Sequence, residues 1–303
     1  MTAVIEASGL VKRYGRTLAL DGLDLTVHRG EVHGYLGPNG AGKSTTIRIL
    51  LGLARATSGR VSVLGADPWR EAPRLHRRIA SIPGDVALWP ALSGGETIDL
   101  LVRLRGGDVR ADAYRRRRAA LIDTFRFDPS KAAGTYSKGN RQKVALLAAL
   151  AHPADLYVFD EPTSGLDPLM EGVFLKEVGV LAHGGATVLL SSHLLGEVER
   201  LCDRVSILRA GRVVESGTLD ELRHLTRTAV SFDRGHLTEA DLRRIPGAHG
   251  VVLAEGRVSL ALDSDAVAAV LPALGSLGVT GLRVAPPSLE DLFLRHYGDE
   301  VPA

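Results

Sequence analysis

A lysine, two carboxylates and a run of glycines are the residues of this chain whose types and spacing could do chemistry. Gly37-Pro38-Asn39-Gly40-Ala41-Gly42-Lys43-Ser44-Thr45 reads G-x-x-x-x-G-K-[ST]. Glycines let a backbone close on phosphate oxygens without Cβ clashes, and successive N–H groups at a helix start then face the anion. Lys43 has the reach for β- and γ-phosphates, and the Ser44 hydroxyl can ligate Mg²⁺. A chance match to this pattern arises in about one chain per hundred of this length, so the other parts of a nucleotide site have to be found. Leu156-Tyr157-Val158-Phe159-Asp160-Glu161 is an apolar run ending in two acids. Asp160 is placed to hold Mg²⁺ through water, and Glu161 to polarise an attacking water. His193 ends a second apolar run, Ala186 to Ser192, where it can hydrogen-bond a γ-phosphate oxygen. Tyr14, ahead of the glycine loop, offers adenine a flat π face.

These residues need a scaffold that brings them together. Glu31 to Leu36 reads as a short strand before the glycine loop, and Thr46 to Leu53 as an apolar helical face after it, the context that confirms the motif. Val4 to Ala7, Leu23 to Val27 and Gly59 to Gly65 carry strand signals, with Val11 to Gly15 between the first two. From Asp85 to Ala151 the pattern becomes helical: Thr97 to Arg105, Ala111 to Phe125 and Lys138 to His152. This predicts a helical subdomain, about residues 85–151, inserted into an α/β core. Apolar strands at 156–161 and 186–193 flank a helix from Pro168 to Leu181. Beyond the core, strands and helices follow the order βαββαβ, which suggests a small ferredoxin-like domain. A last helix, Leu289 to Tyr297, has a capping-box-like start at Ser288 and Asp291. The expected domains are 1–222 and 226–303.

Composition narrows the function classes. With 303 residues, 45 % hydrophobic and 24 % charged, the chain has room for one large and one small domain. A net charge of +2 does not suggest a nucleic-acid partner. The one basic run, Arg115 to Arg118, reads as the solvated face of a helix. A single cysteine, Cys202, excludes an internal disulfide and fits a reducing cytosol. No signal-peptide pattern opens the chain, and no apolar run approaches the ~18 residues that span a bilayer. A cytoplasmic location is expected, with any membrane role peripheral.

Together these residues resemble the nucleotide-binding subunit of ABC transporters over roughly residues 1–220. That implies a P-loop NTPase fold, ATP and Mg²⁺ as cofactors, and a signature usually written Leu-Ser-Gly-Gly-Gln at the start of a helix ahead of the Asp–Glu strand. Two stretches compete for it. Leu92-Ser93-Gly94-Gly95-Glu96 is closer by letter but lies too far ahead of Asp160. Tyr136-Ser137-Lys138-Gly139-Asn140 opens the helix that feeds into the strand, so it is taken as the signature and the other as a helix-capping turn. By resemblance, Ser137 and Gly139 contact the γ-phosphate bound to a second subunit, and Asp167 joins the nucleotide-binding set. Because one chain holds both halves, a homodimer with two sites is the simplest assembly.

The chain departs from the family pattern at Tyr136, Lys138 and Asn140. It departs again at Ile82-Pro83-Gly84-Asp85, where glycine replaces a glutamine that senses Mg²⁺ and the attacking water. Either Asp85 substitutes or the role is lost. The resemblance extends to ATPases of ABC-2 type drug and antibiotic exporters, implying a separate integral-membrane permease and attachment at the inner face of the membrane. The docking groove is expected near Val86, Leu88 and Trp89, with Trp89 alternatively packed inside its own subdomain. A soluble ABC-type ATPase acting on ribosomes or DNA is the competing class. It usually joins two nucleotide domains or carries long coiled coils, and this chain has one P-loop and no room for such coils between Ser44 and Ser137. A nucleotide kinase, the third class, has no use for Ser137 and Gly139 of a second copy.

Overall fold

In the computed structural model, residues 2–285 are described, apart from 193, 225–226, 243–244, 255 and 264–265. The predicted last helix and its cap at Ser288 therefore lie outside the described residues, as does His193. The chain divides into two compact units between Ser216 and Gly217.

The first unit opens on two long antiparallel strands, β1 (Ala3–Tyr14) and β2 (Thr17–His28). The pattern of hydrophobic residues foretells shorter strands with Val11 to Gly15 between them. Those residues instead carry β1 on to its turn, because pairs from Val11↔Asp21 to Tyr14↔Thr17 satisfy their backbone groups. The strand β3 (Val32–Leu36) runs into the glycine loop, and α1 (Lys43–Leu50) begins at the loop's lysine. Then β4 (Ser58–Val63) returns to pair with β1, completing a three-stranded sheet in the order β2-β1-β4. A short α2 (Ala72–His76) leads to β5 (Ile79–Ile82). Three helices follow, α3 (Gly94–Leu104), α4 (Asp112–Thr124) and α5 (Lys138–Leu150). The core resumes with β6 (Leu156–Asp160), α6 (Pro168–His183), β7 (Thr187–Ser192), α7 (Leu195–Leu201), β8 (Arg204–Arg209) and β9 (Arg212–Thr218).

Six strands form the main sheet in the order β5-β6-β7-β3-β8-β9. Every pair from β5 across to β8 is parallel, so β3, β6 and β7 end on the same edge. All residues of these three strands are buried, as befits strands covered on both faces. That explains why they read as apolar runs without alternation.

The inserted helices pack around Ile98, Val102, Leu121, Phe125, Val144 and Leu147, all buried. Tyr136 belongs to this packing: its ring lies 5.3 Å from that of Phe127 and its hydroxyl donates to the Asp128 carbonyl at 2.8 Å. Ser93 caps α3, accepting from the Glu96 N–H while the Glu96 carboxylate takes the Ser93 N–H, a complete capping box. The basic run on α4 is only half a solvated face. Arg115 and Arg116 are exposed, but Arg117 pairs with Glu177 at 2.5 Å and Arg118 with Asp99 at 2.9 Å, both half-buried.

The second unit holds α8 (Leu219–His224), β10 (Thr228–Asp233), α9 (Glu239–Leu242), β11 (Ala248–Ala254), β12 (Arg257–Leu262), α10 (Val267–Ser276) and β13 (Thr280–Ala285). Its sheet runs β11-β12-β10-β13 with each adjacent pair antiparallel, the ferredoxin-like arrangement. Alternate residues Val230, Phe232, Val258, Leu260 and Leu262 turn one sheet face towards Leu242, Ile245, Val270 and Leu274.

The capping box yields a stability test. Ser93→Ala removes a cap worth about 1 kcal/mol and should lower the urea midpoint while leaving ATP turnover per folded molecule unchanged. A large loss of turnover at unchanged stability would instead make Ser93 part of the nucleotide machinery.

Candidate active site

The glycine loop is shaped by the sheet beneath it. Gly42 takes φ of 114° as the cap of α1, a conformation side chains rarely adopt, and a Cβ there would stand 2.8 Å from Leu20 Cδ2 and 3.0 Å from the Ala19 carbonyl. From below, the Tyr35 hydroxyl donates to Thr46 Oγ1 at 2.9 Å, and that hydroxyl donates to the Gly42 carbonyl at 3.1 Å. Burial pushes the Tyr35 phenol far above its ordinary range, so it stays a neutral donor. The Lys43 ammonium is only 5 % exposed; it donates to the carbonyls of Gly37 at 2.5 Å and Pro38 at 3.3 Å and lies 3.3 Å from Glu161 Oε1.

Of the residues picked out in the sequence, Pro38, Asn39, Gly40, Gly42, Lys43, Ser44, Thr45 and Glu161 line one pocket of about 150 Å³. Gly37 and Ala41 lie behind it. The carbonyl of Leu208 is 2.9 Å from where a Gly37 Cβ would stand, and the buried Ala41 accepts from the Gly211 N–H at 3.0 Å. Asp160 is buried at the end of β6, its Oδ1 accepting from the Ser191 hydroxyl at 2.6 Å. Gly84 faces it: a Cβ there would stand 3.3 Å from Asp160 Oδ2, and Asp85 beside it is exposed.

The remaining described candidates do not line the pocket. Tyr14, at the end of β1, is 45 % exposed, with the Lys12 ammonium 4.6 Å from its ring centroid. Ser137 is exposed as the cap of α5, its Oγ accepting from the Asn140 N–H at 3.3 Å, and Gly139 rests on Gly165. Asp167 caps α6, accepting from the Met170 N–H at 2.9 Å. Two residues with no sequence signal also belong to the site. Ala19 lines the pocket, and Ser191 holds the acid pair, accepting the Glu161 N–H on both its carbonyl and its hydroxyl.

A glycine loop entering a helix, with its lysine against an acid at the end of a parallel strand, defines a P-loop nucleotide hydrolase. The family profile described as ABC transporter matches residues 20–164. The chain is 38 % identical over 309 residues to the daunorubicin resistance ATP-binding protein DrrA3 of Streptomyces coeruleorubidus, covering 98 % of this chain and 96 % of that one. It is 30 % identical over 318 residues to the bacitracin transport ATP-binding protein BcrA of Bacillus licheniformis, covering 98 % of each. A solved ATP-binding subunit of an ABC transporter superposes with a TM-score of 0.69 at 35 % identity, over 73 % of this chain and 92 % of that chain. The chain belongs to the ABC transporter ATP-binding protein family, and its activity is that of an ATPase.

Gly42→Ala tests the loop. The added methyl meets both Leu20 and the Ala19 carbonyl in an unfavourable backbone region, so affinity for a fluorescent ATP analogue should fall about tenfold or more. Unchanged affinity would show that the loop does not need this backbone to hold phosphate.

Proposed function

We propose that this chain powers an exporter, two identical copies driving a separate integral-membrane permease. The observation that carries the reading is how one chain divides the parts of the site. Lys43, Ser44 and Glu161 share a pocket, whereas Ser137 is presented outward at the start of α5. A second copy set head to tail would bring its Ser137 and Gly139 to this pocket, closing a triphosphate between two chains. The start of α5 then turns its N–H groups towards the γ-phosphate. The Ser137 hydroxyl, whose oxygen already accepts from Asn140, is free to donate its proton to that phosphate.

Each residue has a task in that closed site. Lys43 neutralises charge on the β- and γ-phosphates, His193 donates to a γ-phosphate oxygen and Tyr14 stacks on adenine. Glu161 orients water for in-line attack. Ser44 and Asp160 would hold Mg²⁺. A hydroxyl and a carboxylate suit that hard, oxygen-seeking cation, and Ser191 steadies one Asp160 oxygen while leaving the other facing Gly84. Bound there, the cation supplies charge neutralisation for the departing phosphate oxygens. Loss of the γ-phosphate removes the link between copies, and the pair reopens.

A second feature supports the permease. Val86, Leu88, Leu101, Leu104 and Ala148 help to line an apolar groove of about 400 Å³, and Leu53 and Leu104 at its rim are each 64 % exposed. An apolar segment of a membrane partner suits such a surface. Trp89, 48 % exposed, stands on the same segment as Val86 and Leu88. Among the described residues no helix is long and apolar enough to cross a membrane, so attachment to the inner face would come through the permease. Relatives named for daunorubicin resistance and bacitracin transport support an antibiotic or other drug as the cargo.

Glu161→Gln tests the catalytic half. It should bind ATP, hydrolyse it about 10²–10⁴-fold more slowly, and run as a dimer in size exclusion with ATP and Mg²⁺; full-speed turnover would remove Glu161 as the base. Asp85→Ala tests the transport half, in complex with the proposed permease. It should weaken permease-stimulated turnover more than nucleotide affinity, and an unchanged stimulation would show that Asp85 does not replace the missing glutamine.

A further inference from the structure

Glu161 has φ of 48°, a left-handed backbone that residues other than glycine adopt only where neighbours hold it. It is held from two sides. On one side its N–H donates to the Ser191 carbonyl and hydroxyl, both at 3.1 Å. On the other side the turn is closed by Ser164, whose N–H donates to the Glu161 carbonyl at 3.1 Å, and by Gln142 of α5. Gln142 is 2 % exposed, and its amide Nε2 donates to the Pro162 carbonyl at 2.8 Å. Proline has no N–H, so that carbonyl is the only backbone polar group by which Pro162 can be held.

The same helix touches the turn at two further points. A Cβ on Gly139 would stand 2.6 Å from the Gly165 carbonyl, and Lys138 Nζ donates to Ser164 Oγ at 3.0 Å. The first turns of α5 are therefore tied to the segment from Glu161 to Gly165 at three points.

We infer that Gln142 is a positioning residue that carries the placement of the α5 tip to Glu161 of the same chain. The inference rests on the head-to-tail pair proposed above, in which that tip touches the second copy's nucleotide. ATP held by one copy then sets Glu161 in the other, and reciprocally, so the two sites turn over cooperatively. The geometry asks that the side chain at position 142 donate to the Pro162 carbonyl.

Gln142→Met keeps the length of the side chain and removes the donor. In the full-length chain, kcat for ATP should fall about tenfold while KM stays within about twofold, and the Hill coefficient should drop towards one. Gln142→Glu supplies a second readout that a packing defect would not move. Its protonated carboxyl can donate to Pro162 and its carboxylate cannot, so its rate relative to wild type should climb as pH falls. A Gln142→Met kcat within about twofold of wild type, or a KM that rises in step with the loss of kcat, would overturn the inference. So would a pH-independent ratio for Gln142→Glu. The double variant Glu161→Gln with Gln142→Met should still dimerise with ATP as Glu161→Gln does; a positioning role for Gln142 leaves the grip on nucleotide alone. If Glu161→Gln itself does not dimerise, it is the two-copy reading that fails.

Discussion

The close approach of Lys43 to Glu161 is the interaction on which the site depends. The ammonium is nearly buried, and burying a charge is unfavourable unless it is paired and hydrogen-bonded. Here two loop carbonyls and one carboxylate meet it. The partners come from two parts of the chain, the lysine's own loop and a segment more than a hundred residues on. The carbonyls sit on the loop that leaves β3, and Glu161 follows β6, with β7 lying between the two strands. Parallel pairing puts all three strand ends on one edge, so Ser191 at the end of β7 can hold the acids while the loop faces them. A triphosphate offers the same ammonium a stronger anionic partner than either carbonyl, which makes this arrangement a nucleotide site as well as a structural knot.

The inserted helices show how differently two similar-looking helix starts can be built. Ser93 and Ser137 both cap helices, and both are followed by glycine within two residues. At Ser93 the cap is closed by Glu96, whose carboxylate already satisfies the local N–H, and Gly94 and Gly95 are buried. At Ser137 no acid occupies the first turn, the serine is exposed, and the helix leans on the turn that follows Glu161. Tyr136, which departs from the usual leucine, fills the same need for apolar packing and adds one hydrogen bond.

Much of the architecture was legible because periodicity reports burial. Apolar runs without alternation marked β6 and β7, and the order of elements after the core matched the ferredoxin-like sheet. The misreadings have physical causes. Val11 to Gly15 fell between the expected strands because polar residues interrupt the pattern, yet strand pairing claimed most of them. Arg117 and Arg118 looked like a solvated face because their carboxylate partners, Glu177 and Asp99, are far away in sequence or on another helix.

Residue order was enough to point to the chemistry: a glycine loop with a lysine, an acid pair at the end of an apolar run, and a serine-tipped helix ahead of it. Those are local patterns, dictated by what a backbone must do to hold a phosphate or leave a sheet. The tertiary structure alone decided that Ala19 lines the pocket, that Ser191 holds both acids, that Gly84 faces Asp160 and that Gln142 reaches Pro162. Each of those contacts joins residues well separated in sequence and brought together by strand order and helix packing, which no short stretch of sequence encodes.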